Sequence, residues 1–138
     1  SKLRVTGSGL IEGVLTVLDN LTAQDLIVNG ASTFFGEVVF KDKVRFDGKV
    51  LFGKDSAREV VIEKGKDNAS VVFDKKYDSI PLVNITLSID DPALESKIMK
   101  EGYTFAVVKR SNEGFSIKLN QIAQDDLRFT WLAVEGAQ

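Results

Sequence analysis

A phenylalanine recurs every six residues between positions 34 and 52, and this period restricts the fold more than any other feature. The repeating positions are Phe34, Phe40, Phe46 and Phe52. Valine stands two residues before the last three of them, at Val38, Val44 and Val50. Residues two apart share one face of an extended strand, whereas a six-residue period drifts around a 3.6-residue helix. The segment 32–55 is therefore predicted to be extended.

A short extended repeat of this kind is typical of two architectures, the single-chain β-helix and the intertwined fibre. A triangular single-chain coil uses about three hexads per turn and needs several turns to form a core. The clear run of four hexads would give little more than one turn and would leave the phenylalanines in water. Three chains around one axis would instead bury each hexad against its two copies. We therefore expect a homotrimer with a core of Val38, Phe40, Val44, Phe46, Val50 and Phe52.

The first thirty residues leave two alternatives open. Residues 15–35 resemble the low-complexity stalks of phage tail fibres and bacterial surface fibres, through the phrases LTVLDNLT and VNGASTF. The competing pattern is the spacing of Ile11, Val14, Leu18 and Leu21, which matches the a and d positions of a short trimeric coiled coil. Turn-forming residues at Gly7–Gly9 and Asn29–Gly30 favour the extended alternative. Residues 1–57 are accordingly predicted to form a trimeric β-stalk.

From residue 58 onward the hexads give way to short apolar strands separated by turns. Predicted strands cover 60–62, 71–73, 82–89, 105–109, 115–119 and 127–134. Residues 92–101 are predicted to be a helical turn or a crossing loop. Trp131 alternates with Leu127 and Phe129, which predicts a core position. Strands at this spacing indicate an antiparallel β-sandwich over 58–138, and an all-β fold class for the whole chain.

The order and spacing of several residues over Val71–Gly136 resemble those of the H-type lectin domain found in snail agglutinins and discoidins. These residues are Phe73, Tyr77, Pro81, Val83, Asp90, Gly114, Phe115, Trp131 and Ala133. The resemblance implies a sandwich that trimerises and binds galactose-type sugars in clefts between subunits. A trimeric head would agree in symmetry with a trimeric stalk.

The residues that form the sugar site in H-type lectins have no equivalents at the corresponding positions of this sequence. The site's acid and arginine would fall near Lys100–Gly102, where there is no arginine. Its aromatic cluster would fall within Asn120–Asp126, which has no tryptophan, tyrosine or histidine. Sugar sites combine an aromatic face with fixed polar groups. The site is therefore expected to be absent or rebuilt.

A few residues remain as weak ligand-binding candidates. Asp90 and Asp91 could hold calcium or act in glycoside chemistry, although Asp before Pro is more typical of a turn. Asp125-Asp126 has the same status, and the two pairs could bind an ion only if they met in space. Tyr103 is a candidate exposed aromatic, and Arg110 is a candidate for an acidic ligand. We predict neither a metal site nor a cofactor.

Composition excludes several kinds of chemistry. The chain has no Cys and no His, so it lacks a thiolate nucleophile, a zinc–sulfur site and the usual general base near pH 7. Its net charge is −2, and Lys and Arg are scattered, which favours neither nucleic acid nor membrane insertion as a mode of binding. No signal peptide is visible, and the sequence is consistent with a fragment whose targeting segment precedes Ser1.

These observations predict a structural or adhesive fibre tip that works by presentation and binding and is not an enzyme. Its expected partners are its own copies and a cell-surface glycan or receptor, and its expected location is extracellular, on a virion or a cell surface. The alternative is a carbohydrate-binding H-type-like lectin with a rebuilt inter-subunit sugar site. An enzyme that uses Asp pairs between subunits is the weakest hypothesis, because no nucleophile–base set is visible.

Overall fold

A computed structural model describes residues 2–137, and the fold over that range is mostly β. Six strands form two antiparallel three-stranded sheets, and one short α-helix follows a single 3-10 turn within the same range. The chain divides into two compact units, Ser1–Arg45 and Phe46–Gln138. We describe each unit by itself.

The described part of the first unit, residues 2–45, contains neither helix nor strand. Its backbone runs through bends at residues 6–7, 12–13, 18–19, 24–25, 29–30, 35–36 and 41–42. Every residue in this range is exposed in the single chain. The coiled-coil alternative for residues 10–28 is wrong, because bends at 12–13, 18–19 and 24–25 interrupt that segment where a helix would be continuous.

The second unit begins with one more bend, at residues 47–48, and then forms all the strands. The strands are β1 (Ala57–Ile62), β2 (Asn68–Val72), β3 (Leu82–Ser88), β4 (Phe105–Val108), β5 (Gly114–Leu119) and β6 (Leu127–Val134). Each predicted strand is present, with ends displaced by no more than three residues. In β3, β5 and the start of β6, apolar side chains alternate with polar ones, and β-branched residues are frequent in β1, β2 and β4.

The strand order is β1-β6-β3 in one sheet and β2-β5-β4 in the other. The longest strand, β6, is central in its sheet and aligns Phe129 with Val60 on one side and with Leu87 on the other. In the second sheet β5 aligns Ile117 with Ala69 and with Val107. The predicted antiparallel sheets are therefore confirmed, and Phe129 and Ile117 on the two central strands each have apolar neighbours on both sides.

The segment predicted as a helical turn or crossing loop is helical. A 3-10 turn, Pro92–Leu94, leads into α1 (Glu95–Glu101). The carboxylate of Asp91 accepts a hydrogen bond from the Ala93 amide at 2.9 Å, which caps the turn. Gly102 ends α1 in the left-handed conformation with φ 67°, where glycine meets no Cβ penalty. Ile98 is the buried residue of α1 and joins the core cluster.

The core lies between the two sheets and combines aliphatic side chains with an aromatic cluster. Trp131 on β6 contacts Phe115 and Phe73, with ring centroids 5.3 Å and 6.0 Å apart. Trp131 is only 3% exposed, which confirms its predicted core position. Gly114 begins β5 so close to β2 that a Cβ there would lie 2.1 Å from the Val71 carbonyl oxygen. Only glycine fits that approach without displacing the backbone of one sheet.

Candidate functional site

The largest uncovered apolar surface belongs to residues 2–54, which we call the hexad segment. The second residue of each of its eight bends is a glycine or an aspartate. These residues are Gly7, Gly13, Asp19, Asp25, Gly30, Gly36, Asp42 and Gly48. Both residue types suit tight bends, glycine through its freedom and aspartate through local hydrogen bonding to the backbone. Asp42 shows the second effect, because its carboxylate accepts a hydrogen bond from the Lys43 amide at 2.7 Å.

An apolar residue stands two positions before each of these glycines and aspartates, and together these eight form what we call the apolar column. Its members are Val5, Ile11, Val17, Ala23, Val28, Phe34, Phe40 and Phe46. Six of the eight residues a further two positions back are also apolar, with Gly9 and Ser32 as the exceptions. Side chains two apart on an extended strand share a face. Each repeat therefore presents one apolar face between two bends.

Sequence reasoning found only the repeats from residue 32 onward. The bends are six residues apart up to Asp25, five apart between Asp25 and Gly30, and six apart again up to Gly48. That single short step shifts the phase, and before Phe34 the column contains valine, isoleucine and alanine in place of phenylalanine. The signal that could have found the earlier repeats is the Gly or Asp at the end of each bend.

All six residues predicted for the trimer core are uncovered in the single chain. Val38, Val44 and Val50 are 42–49% exposed, and Phe40, Phe46 and Phe52 are 51–67% exposed. Folded monomers rarely leave a contiguous apolar surface of more than a few hundred Å² in water. A row of valine and phenylalanine at this exposure is typical of a surface that another protein covers.

The total accessible surface area of the chain is larger than that of a compact monomer of the same mass. It amounts to 11907 Å². A compact monomer of this mass exposes about 7,100 Å², so the excess is roughly 4,800 Å². Residues 2–54 are extended and all exposed, and they contribute to this excess.

Asp90 and Asp91 meet Asp126 and Arg128 around one small cavity of about 160 Å³. Arg128 donates to Glu59 at 2.7 Å and lies 3.4 Å from the Asp90 carboxylate. Hydrogen bonding to Glu59 raises the pKa of the Arg128 guanidinium. The arginine therefore supplies the positive charge next to Asp90.

The other predicted acid pair also has structural partners. Asp125 forms an ion pair with Lys97 of α1 at 2.7 Å, and this hydrogen bond raises the pKa of Lys97. Asp126 accepts a hydrogen bond from the Lys64 amide at 2.8 Å. Across residues 2–137 no group of three His, Cys, Asp or Glu side chains is arranged to hold a metal ion. The two acid pairs thus approach each other through Asp126, and they serve turn and ion-pair roles.

Tyr103 and Arg110 do not line the cavity that contains Asp90 and Asp91. The Tyr103 ring is half-buried against the core, and its hydroxyl accepts a hydrogen bond from the Gln124 amide at 2.9 Å. Arg110 is exposed in the loop after β4, next to Lys109, which adopts a left-handed φ of 52°. The four ligand-binding candidates therefore do not form a single site.

A cleft that sequence reasoning missed lies beside Asp55 and Tyr77. Its volume is about 330 Å³, and it is lined by Asp55, Ser56, Lys75, Lys76, Tyr77, Asp78 and Glu135. The Asp55 carboxylate accepts hydrogen bonds from the Asp74 and Lys75 amides at 2.8 and 3.0 Å, and these bonds lower its pKa. The Tyr77 hydroxyl donates to the main-chain oxygen of Asp55 at 2.6 Å. These contacts fix the start of β1 to the loop after β2.

In comparisons with known proteins, no protein-family model, no curated relative and no solved structure matches this chain significantly. Within the described residues, no helix has both the length and the apolar character that a membrane span requires. The candidate functional surface is the apolar column, which is regular in spacing and exposed throughout within the described residues.

Proposed function

We propose that this chain is part of a homotrimeric β-fibre, in which residues 1–57 of three copies wind around one axis and present a β-sandwich head. The observation that carries the proposal is the apolar column, which is regular in spacing and uncovered in the single chain. The protein works by presentation and binding, not by catalysis. Its location is extracellular, on a virion or a cell surface.

The alternative of a single-chain coil fits the exposed column less well. Such a coil would stack its repeats as paired parallel strands and would bury the column inside one chain. Residues 2–53 form no strand, and Val17 and Phe46 of the column are 43% and 67% exposed. Other copies of the chain are the simplest source of the missing strand partners and of the missing cover.

Three copies suit the six-residue spacing better than two. Each repeat consists of about four extended residues and a two-residue bend, so a chain changes direction after every short segment. Three such segments close one triangular turn, and in a trimer each chain contributes one side at every level. The column residues of the three copies then meet inside the triangle. The outward positions carry the Lys, Asp and Glu residues of the segment together with some apolar ones, among them Leu18, Phe35 and Val39.

The head is the proposed contact for a cell-surface receptor or glycan. The resemblance to H-type lectins motivates a glycan, but no specific observation in the head favours a sugar site. The candidate residues Asp90 and Tyr103 lie in different surroundings, and the Tyr103 hydroxyl already has a partner. The lectin alternative therefore depends on a site assembled from more than one subunit.

Mass in solution tests the proposal directly. Light scattering and sedimentation of the full chain should give three times the chain mass of 15.2 kDa. A mass of 15.2 kDa at micromolar concentration would overturn the fibre, because the apolar column would then be stable in water.

A glycan array probed with the trimer distinguishes a structural or receptor-binding head from a carbohydrate-binding head. Specific binding of one sugar class would favour the lectin alternative.

A further inference from the structure

The two open sides of the sandwich differ in how well their inward-facing side chains are covered. At the side where β1 lies next to β2, the inward residues include buried Ile62 and Val71. At the side where β3 lies next to β4, none of the inward residues is buried. We call these five side chains the edge seam, which consists of Val83, Ile85, Leu87, Phe105 and Val107.

The edge seam is entirely apolar and continuous with the core. Phe105 is 37% exposed, although its ring packs edge-on against the fully buried Phe129 at 5.0 Å. Ile85 is aligned with Trp131, and Val107 with Ile117, which is buried completely. The seam is therefore a partly covered margin of the core, where apolar surface that is buried in β5 and β6 continues to the surface of the head.

The backbones of β3 and β4 are also unprotected. Proteins usually guard free edge strands with charged residues, proline or bulges. Neither β3, with sequence LVNITLS, nor β4, with sequence FAVV, contains a charged residue or a proline. On the other open side β1 carries Arg58 and Glu59, although β2, with sequence NASVV, is also uncharged. Two adjacent free edges without charge are typical of a protein interface.

We propose that the edge seam is the contact through which each head packs against a neighbouring head of a second copy of this chain, and this inference rests on the trimer proposed above. Chain length favours a copy over an unrelated partner. Ala57, the first residue of β1, follows Phe52 by five residues, which span at most about 18 Å. Three copies joined at Phe52 therefore hold three heads at millimolar effective concentration. An unrelated protein would have to compete with that concentration.

The absence of cysteine allows a direct test with single-cysteine variants of the full chain. Ile85→Cys lies in the edge seam, Val60→Cys is a half-buried control on β1, and Val72→Cys is an exposed control on β2. In the trimer, maleimide should label Val72→Cys fastest and Ile85→Cys at least about tenfold more slowly than Val60→Cys. The emission of Trp131 checks that each variant is folded.

The outcomes separate the seam from the fibre. A trimeric mass with equal labelling rates for Ile85→Cys and Val60→Cys would overturn the seam and leave the fibre intact. A monomeric mass would overturn the fibre, and the seam with it. Adding Phe46→Asp to Ile85→Cys identifies the cover, because separated copies should regain fast labelling. Slow labelling of a chain shown to be monomeric would overturn a second copy as the occupant.

Discussion

Phe46 and Phe129 are the same residue type in two regions of this chain, and they differ in what covers them. Phe129 lies on the central strand β6 and is completely buried between two sheets. Phe46 lies in the hexad segment and is 67% exposed, as is Phe40 six residues before it. Both belong to regular extended patterns, so periodicity alone does not distinguish a side chain covered by its own chain from one that is not.

The difference lies in the partners that each pattern finds within one chain. Strands β1 to β6 are joined by turns that let distant segments pair, so Ile62 meets Leu127 and Val71 meets Phe115. The hexad segment bends every five or six residues, and every described residue of it is exposed in the single chain. A head can therefore close most of its own core, whereas the hexad segment leaves its apolar face exposed in the single chain.

The largest expected effect comes from a charge placed in the apolar column. Phe46→Asp would put three carboxylates into one layer of the proposed trimer, and each unpaired buried charge costs several kcal/mol. We expect sedimentation to show loss of the trimer or a large fall in its melting temperature. The matched control is Phe35→Asp, because Phe35 is fully exposed and lies outside the column. The control should change stability by less than about 0.5 kcal/mol.

If Phe46→Asp and Phe35→Asp had the same mass and melting temperature, the apolar column would not differ in burial from the surface outside it. An intact trimer with an unchanged melting temperature in Phe46→Asp would mean that the column faces outward.

A cavity in the head should destabilise the head and leave the column intact. Phe129→Ala removes a fully buried ring that packs against Phe105, and such changes cost about 3–5 kcal/mol. Trp131 is the single tryptophan, so its fluorescence follows the head alone while sedimentation follows the trimer. We expect the fluorescence transition to move to lower temperature while the mass at 25 °C stays trimeric. Loss of the trimer at 25 °C would show that the head, not the hexad segment, holds the copies together.

The smallest expected effect is a pH dependence of the head's melting temperature, caused by Asp55 before the start of β1. Amide hydrogen bonds from Asp74 and Lys75 hold the pKa of Asp55 below its ordinary value of 3.8. A carboxyl with a lowered folded pKa stabilises the fold above its unfolded pKa, and that contribution is lost as pH falls through the folded value. The head should therefore melt at progressively lower temperature below about pH 4.

The Asp55→Asn variant isolates this contribution. The variant should be less stable than the original chain at pH 7, and the two melting curves should converge at low pH. Parallel curves with a constant offset down to pH 2 would show that the carboxylate contributes no pH-dependent stability there.

Much of the architecture could be predicted from local pattern. The alternation of Leu127, Phe129 and Trp131 predicted β6 and its buried face, and the apolar run around Ile85 predicted β3. The turn residues at Ser111–Gly114 separated β4 from β5 as expected. These predictions held because strand, turn and inward face depend on residues that are close in sequence.

The candidate sites could not be predicted in the same way, because they depend on contacts between distant residues. The sequence could not tell that Arg128 would neutralise Asp90, or that Lys97 would pair with Asp125. Nor could it tell that Asp55 would bind the loop after β2, nineteen residues later at the Asp74 amide. Each contact is set by how the sheets stack.

The sequence by itself determined the spacing of bends and strands in this protein, since Gly or Asp at each bend and alternating apolar residues act locally. Only the tertiary structure decided which apolar faces are covered. Ile62 and Val71 are buried where β1 lies next to β2, whereas the edge seam is only partly buried and the apolar column is exposed. The physical reason is that burial is a property of pairs of distant surfaces, and a local period specifies only one member of each pair.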